Sequence, residues 1–513
     1  MKWVQRLAKA TLGGEAGNYA TIDTAATPAI LPLQPIDLTD DAAVTEALDL
    51  AVRVGAVLLD SGTGAIDTQW HTQFVASTYG LEQCEVDVTY NAIVITAHRG
   101  PTLPPATTMR VVHHRSLDFT RLSAVDHLIR QMRNRLLSPA QAHRILDTIV
   151  SAPHPYPRWV ATAAWAGMAA AVAFLLGAAP IIALVAFFTT IVIYRTNLYL
   201  NKLGLPLFYQ QVVGGMIATV PAPIVYQFRD VLGIEVFPSQ IVATGIIVLL
   251  AGLSLVGSVQ DAITGAPITA SARLLEVMVM TGGIITGVAI TLQLSQQLGV
   301  DMPMLGTTFI QGFTRIPVQI IAGAAAAMFF ALASYAERRA LTAAAFGGGA
   351  GMAVFLVVLN ASAGTIAAAG TAAILVGFAG GLMARRALVP PLVVAVAGIT
   401  PLLPGLSVYR GLYSLVADDR IEGLSNLANA FAIGGALAAG VVLGEWMART
   451  LRRPQVTFRP PTVPTRFLSR PWQNPTDSRR ASGRDLVPRK HSRFWYRSVK
   501  QHGRLEWSTS AER

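Results

Sequence analysis

Pro238-Ser239-Gln240-Ile241-Val242-Ala243-Thr244-Gly245-Ile246-Ile247-Val248-Leu249-Leu250-Ala251-Gly252-Leu253-Ser254 returns later in the chain as Pro391-Leu392-Val393-Val394-Ala395-Val396-Ala397-Gly398-Ile399-Thr400-Pro401-Leu402-Leu403-Pro404-Gly405-Leu406-Ser407. The ungapped frame continues, setting Gly282, Gly287 and Val288 on Gly435, Gly440 and Val441, so that Pro238–Ile290 aligns with Pro391–Leu443. Both copies are apolar segments interrupted by polar or helix-breaking residues, the pattern of a duplicated membrane transporter. Working outward, ten apolar spans start near Trp159, Ala179, Pro206, Pro238, Leu274, Ile316, Ala340, Ser362, Leu388 and Leu424. Each is near the ~20 residues that cross about 30 Å of hydrocarbon. Ten divide as five plus five, and an odd number per half turns the second copy upside down relative to the first.

Composition agrees. Of 513 residues, 52% are hydrophobic and only 13% charged, against about a quarter charged in soluble domains. The net charge of +11 is a property of the tail: residues 449–513 hold 16 Lys+Arg against 4 Asp+Glu. That segment has few aliphatics and reads as a basic, disordered tail, 449–513. Directly beside a span it is attracted to anionic lipid rather than nucleic acid. Residues 1–41 lack periodicity and read as a flexible arm. Residues 42–151 read as a small soluble α+β domain. In it, helices run from Ala43 to the Asp60-Ser61-Gly62 turn and from Ile66 to Gly80, followed by three short strands around Cys84–Tyr90, Ala92–Ala97 and Met109–His113, then two more helices. Pro153–Arg158 is a stiff basic linker, placed at 152–158. The membrane halves are expected at 159–310 and 311–448.

Loop charge sets an expected orientation. With the N-terminal domain cytoplasmic, inner loops carry Arg195, Lys202, Arg273, Arg338, Arg339, Arg385 and Arg386, whereas outer loops carry Arg229, Arg315, Arg410 and Arg420. This bias puts both termini in the cytoplasm.

The chemistry is expected at the two breaks. The first holds Gln260, Asp261 and Thr264, followed by Arg273 and Glu276. A carboxylate at a span junction is costly unless it is paired or lines a wet cavity. Asp261 could bind a coupling proton or a substrate amino group. Arg273 could take a carboxylate, or make an i, i+3 pair with Glu276. The second break holds Pro401, Pro404 and Gly405, which open the helix and free backbone groups, followed by Tyr409 and Arg410. No phosphate-binding GxxxxGK[ST] loop is present, so nothing suggests ATP hydrolysis. All nine histidines lie outside the apolar block, which leaves proton coupling to carboxylates. No cofactor or metal site is expected. Asp60, Ser61 and His71 match no nucleophile elbow, and His113-His114 point to opposite faces of a strand.

Leu58-Leu59-Asp60-Ser61-Gly62, Gln260-Asp261-Ala262-Ile263-Thr264-Gly265 with Ala272-Arg273-Leu274-Leu275-Glu276, and Gly398–Gly405 through Tyr409-Arg410-Gly411 together resemble the threonine/serine exporter family, ThrE, over residues 43–448. The match departs after Gly62, where Thr63–Asp67 lacks the family's Arg-Val/Ile-Glu and Ile66-Asp67 is the nearest remnant. The resemblance implies a fused two-half transporter, not an enzyme, in a bacterial inner (plasma) membrane. It implies export of threonine, serine or related small metabolites by proton antiport. Some two-subunit relatives export dicarboxylates, so a succinate-type substrate stays open. So does a membrane-anchored enzyme or sensor built on 42–151, though ten spans are more than an anchor needs. Self-association into a homo-oligomer is left open.

Overall fold

A computed structural model describes residues 36–451, apart from 102, 114–115, 135–136, 229–236, 250–251, 301–315, 386–388 and 417–418. The expected arm up to 35 and the tail from 452 lie outside the described residues, as does His114.

The N-terminal part opens with α1 (Asp41–Asp60), whose start is fixed by Asp40 accepting from the Ala42 N–H. Val44, Leu48, Ala51, Val54 and Leu58 recur at helical spacing and are all buried. The helix ends at Ser61, and Gly62 (φ 93°) turns the chain into α2 (Ala65–Thr78). Strands β1 (Cys84–Thr89), β2 (Ala92–Ala97) and β3 (Ala106–Val111) form an antiparallel sheet in sequence order, with Cys84 opposite Ala97 and Ala92 opposite Val111. Alternation in β1 and β2 buries Cys84, Val86, Val88, Ile93 and Ile95 on one face. The third strand begins and ends earlier than the sequence pattern suggests, so His113 follows it rather than standing in it. Helices α3 (Phe119–Asn134) and α4 (Pro139–Ser151) complete this part, α4 opening with a capping box between Ser138 and Gln141 and proline at its first turn.

The apolar core does not stop there. Buried Leu58, Ile93, Phe119 and Leu122 belong to one cluster with Phe330, Ala344 and Val393 from the C-terminal half. Phe119 meets Phe330 edge-on at 6.2 Å, and Trp165 meets Phe330 at 5.8 Å. Burying side chains of this size contributes about 1.5–3 kcal/mol each. The expected stiff linker packs against the body as well: His154 stacks on Tyr335 at 4.2 Å and pairs with Asp118 at 3.2 Å.

The rest is helical: α5 (Arg158–Leu175), α6 (Pro180–Lys202), α7 (Leu207–Thr219), α8 (Pro221–Gln227), α9 (Pro238–Ile246), α10 (Gly252–Thr264), α11 (Pro267–Gln297), α12 (Ile316–Ala333), α13 (Arg338–Asn360), α14 (Gly364–Arg385), α15 (Pro391–Ile399), a 3-10 turn (Thr400–Leu402), α16 (Gly405–Val416) and α17 (Arg420–Thr450). Seven of these, α5, α6, α11, α12, α13, α14 and α17, are long and apolar enough to cross a membrane. Leu184, Phe188 and Val192, four residues apart on α6, are each more than half exposed; such a stripe suits lipid as solvent rather than water. The other expected spans are interrupted, at Val220 between α7 and α8, between α9 and α10, and between α15 and α16.

The two copies of the repeat share a helix pattern. Helices of 9 and 31 residues (α9, α11) recur as helices of 9 and 31 (α15, α17), with α10 and α16 respectively between them. Ahead of them, α6 and α13 have 23 residues each. The proline that begins α9 and α15 sits in each first turn, where its missing N–H costs nothing.

Candidate functional site

Asp261 stands one turn before the end of α10, and Arg273 stands in the second turn of α11. The intervening turn, with Gly265 at φ 107°, folds the two helices side by side and brings Arg273 Nη1 within 2.6 Å of Asp261 Oδ2. Both are buried, at 1% and 8% exposure. Arg273 therefore does not make the i, i+3 pair with Glu276 that spacing alone allows. Instead Glu276 accepts a hydrogen bond from the Tyr90 hydroxyl at 3.3 Å. A salt-bridged pair taken out of water persists only when geometry and further hydrogen bonds compensate its desolvation.

The compensation for Asp261 comes from far along the chain. Helix α2 starts after Gly64, which has no side chain to cap its free N–H groups. Asp261 supplies the cap: its Oδ1 accepts from the Ala65 N–H at 3.0 Å. The positive end of a helix and a carboxylate stabilise one another. A Cβ on Gly64 would lie 3.3 Å from Asp261 Oδ1 and 3.7 Å from Asp67 Oδ2, so two buried carboxylates approach the same point. The neighbouring β1–β2 turn is fastened too: the Tyr90 N–H donates to Thr269 Oγ1 at 3.0 Å, and Thr269 donates to the Val88 carbonyl at 3.3 Å.

The remaining expected residues divide. Thr264 donates to the Gln260 carbonyl at 2.9 Å, so its hydroxyl is used within α10, and Gln260 is half-buried. Pro401 lies in the 3-10 turn, after which Leu403 is extended and Pro404 leads into Gly405 at the start of α16. This break packs near α10: Leu402 and Leu403 share an apolar cluster with its Leu253, Val256 and Val259. Arg410 is half-buried on α16, while the side chain of Tyr409 lies outside what the structure describes.

Three buried groups were given no role by sequence reasoning. Asp67, at 3% exposure, is on α2 beside the Asp261 cap. Glu445, also at 3%, pairs with Arg449 at 3.5 Å on α17; an ionisable residue inside an apolar helix was the available signal. His71 is fully buried on α2, and neither ring nitrogen has a hydrogen-bond partner. Burial, then the nearby Arg449 and Arg130 charges, push its pKa down to about 4. A depressed histidine is protonated in the unfolded chain but not in the fold, so its stability contribution is complete above about pH 6.5 and lost as pH falls toward 4. On the order of 3 kcal/mol should disappear across that window. Thermal unfolding of the purified protein from pH 7 to 4 should show this loss, and His71→Phe should remove that part of it.

A family model described as "Putative threonine/serine exporter" matches residues 49–295, and a second, "Threonine/Serine exporter, ThrE", matches residues 319–447. A Corynebacterium glutamicum protein described as "Threonine/serine exporter" is 46% identical over 443 residues, covering 85% of this chain and 90% of the relative. A Mycobacterium tuberculosis protein described as "Probable threonine/serine exporter" is 40% identical over 419 residues, covering 80% of this chain and 78% of that one. No solved structure matches. With both family models matched in order and most of the chain aligned to these relatives, the chain belongs to the threonine/serine exporter family, in its fused two-part form.

Proposed function

We propose that this multi-pass membrane protein exports threonine or serine from the bacterial cytoplasm across the inner membrane, in exchange for protons. The observation that carries this reading is the buried Asp261–Arg273 pair at the α10–α11 turn. A free amino acid presents an ammonium and a carboxylate, and this pair offers the complementary charge to each. Binding replaces one internal ion pair by two external ones, which limits the cost of desolvating the substrate. Family membership supports threonine or serine as the cargo.

The duplicated helix pattern supports an inverted five-plus-five arrangement in which α7–α8, α9–α10 and α15–α16 are broken spans. In that arrangement 42–151 is a cytoplasmic α+β domain joined by 152–158 to halves at 159–310 and 311–448. Both termini are then cytoplasmic, which the arginine bias of the loops favours, and the basic residues from 449 onward face anionic lipid. Asp261, with Glu276 and Glu445 as further carboxylates, would carry the coupling proton.

Proteoliposomes loaded with labelled threonine test the proposal. Efflux through the wild-type protein should accelerate severalfold when the outside is made one unit more acidic, a driving force of about 1.4 kcal/mol per proton. Equal rates with and without the gradient would leave a channel, and faster efflux of succinate than of threonine would replace the substrate.

A further inference from the structure

With α2 in place nothing reaches Asp261 from the side of the N-terminal part. The carboxylate is 1% exposed, Thr63, which precedes Gly64 in the chain, is fully buried, and Gly64 lies against Asp261 itself. A substrate held by Asp261 and Arg273 must nevertheless arrive from the side on which an exporter takes up its cargo. We propose that α2 is the gate on that side, and that Gly64 and Ala65 are its latch: positioning residues whose N–H holds Asp261 until substrate replaces it. This inference rests on the reading of Asp261–Arg273 as the substrate site.

Three features support the gate. The cap on α2 is supplied by another element, Asp261 of α10, although a side chain at position 64 is the ordinary means of capping. Gly64 has φ −62° and ψ 158°, a conformation open to any residue, so the absence of a side chain there serves close approach rather than backbone freedom. Finally, the ligand that opens the latch is chemically the one expected: an ammonium competes for the Asp261 oxygen that the Ala65 N–H occupies.

Ala65→Pro deletes this one donor. Proline is favoured at the first position of a helix, and Gly64 already has the extended geometry required before proline. The readout is maleimide labelling of the full chain in nanodiscs carrying Thr63→Cys. Thr63 is fully buried with an unpartnered hydroxyl, so the replacement breaks no hydrogen bond. The native Cys84, buried with its thiol pushed up to about 11 by burial, is replaced by Ala. Labelling should be slow without threonine and severalfold faster with it. In Ala65→Pro it should be about tenfold faster without threonine, the factor equivalent to about 1.4 kcal/mol in the latch. Thr269→Val, which removes the hydroxyl bridging Tyr90 and Val88, should act in the same direction. Labelling that stays slow and indifferent to threonine, Ala65→Pro and Thr269→Val would overturn the gate. The site reading fails separately: wild-type efflux by Asp261→Asn with threonine-dependent labelling would leave the gate and remove the site.

Discussion

Asp261→Asn should reduce threonine efflux by roughly two to four orders of magnitude, and the double variant Asp261→Asn/Arg273→Gln should not restore it. Removing one partner of a buried ion pair leaves the other charge uncompensated, at about 3–5 kcal/mol, which is about 10²–10⁴ in a rate or binding constant. The single variant alone could fail through folding, because Arg273 at 8% exposure would be stranded. The double variant removes both charges and should recover normal abundance in the membrane. If the pair were only structural, efflux would recover with abundance. If it receives the two charges of the substrate, abundance recovers and efflux does not. Wild-type efflux by either variant at normal abundance would end the role assigned to the pair.

The pair shows where sequence reasoning reaches and where it stops. Asp261 and Arg273 were each legible, because an ionised side chain at the edge of an apolar span needs a reason. Their pairing was not, since the i, i+3 neighbour Glu276 offered a nearer partner. The turn at Gly265 decides it by laying α10 along α11, and helix periodicity says nothing about the direction in which a turn leaves. The cap from Asp261 to Ala65 joins residues 196 apart, so no local pattern could reveal it. Asp67 stood in plain view, with Ile66, as the nearest remnant of the family motif that departs after Gly62, yet its position against Asp261 appears only once α2 is docked. By contrast, helix starts at Pro180, Pro238 and Pro391 fell close to the expected ones, because proline and the polar interruptions mark boundaries by local sterics.

The repeat makes the second large prediction, which contrasts two glycines that recur in both copies. Gly287 on α11 and its counterpart Gly440 on α17 sit where helices touch backbone to backbone. A Cβ at Gly287 would lie 2.1 Å from the Val212 carbonyl oxygen of α7, and one at Gly440 would lie 2.5 Å from the Gly370 carbonyl oxygen of α14. Neither neighbour is a flexible side chain that can swing away, so the helices themselves would have to part. Overpacking by single methylenes costs about 1–3 kcal/mol, and Gly287→Val or Gly440→Val, pressing on backbone, should exceed the upper end. Each should abolish recovery of folded protein from detergent-solubilised membranes. Gly282 and Gly435 recur in register too, five residues earlier, but a Cβ at either meets nothing within 4 Å. There alanine should be neutral or stabilising by up to about 1 kcal/mol through helix propensity. The same split in both halves would mean that α7 on α11 and α14 on α17 are one packing solution used twice. Normal recovery of the two valine variants would show that these helices are not in backbone contact, and would remove the physical basis for treating the halves as equivalent.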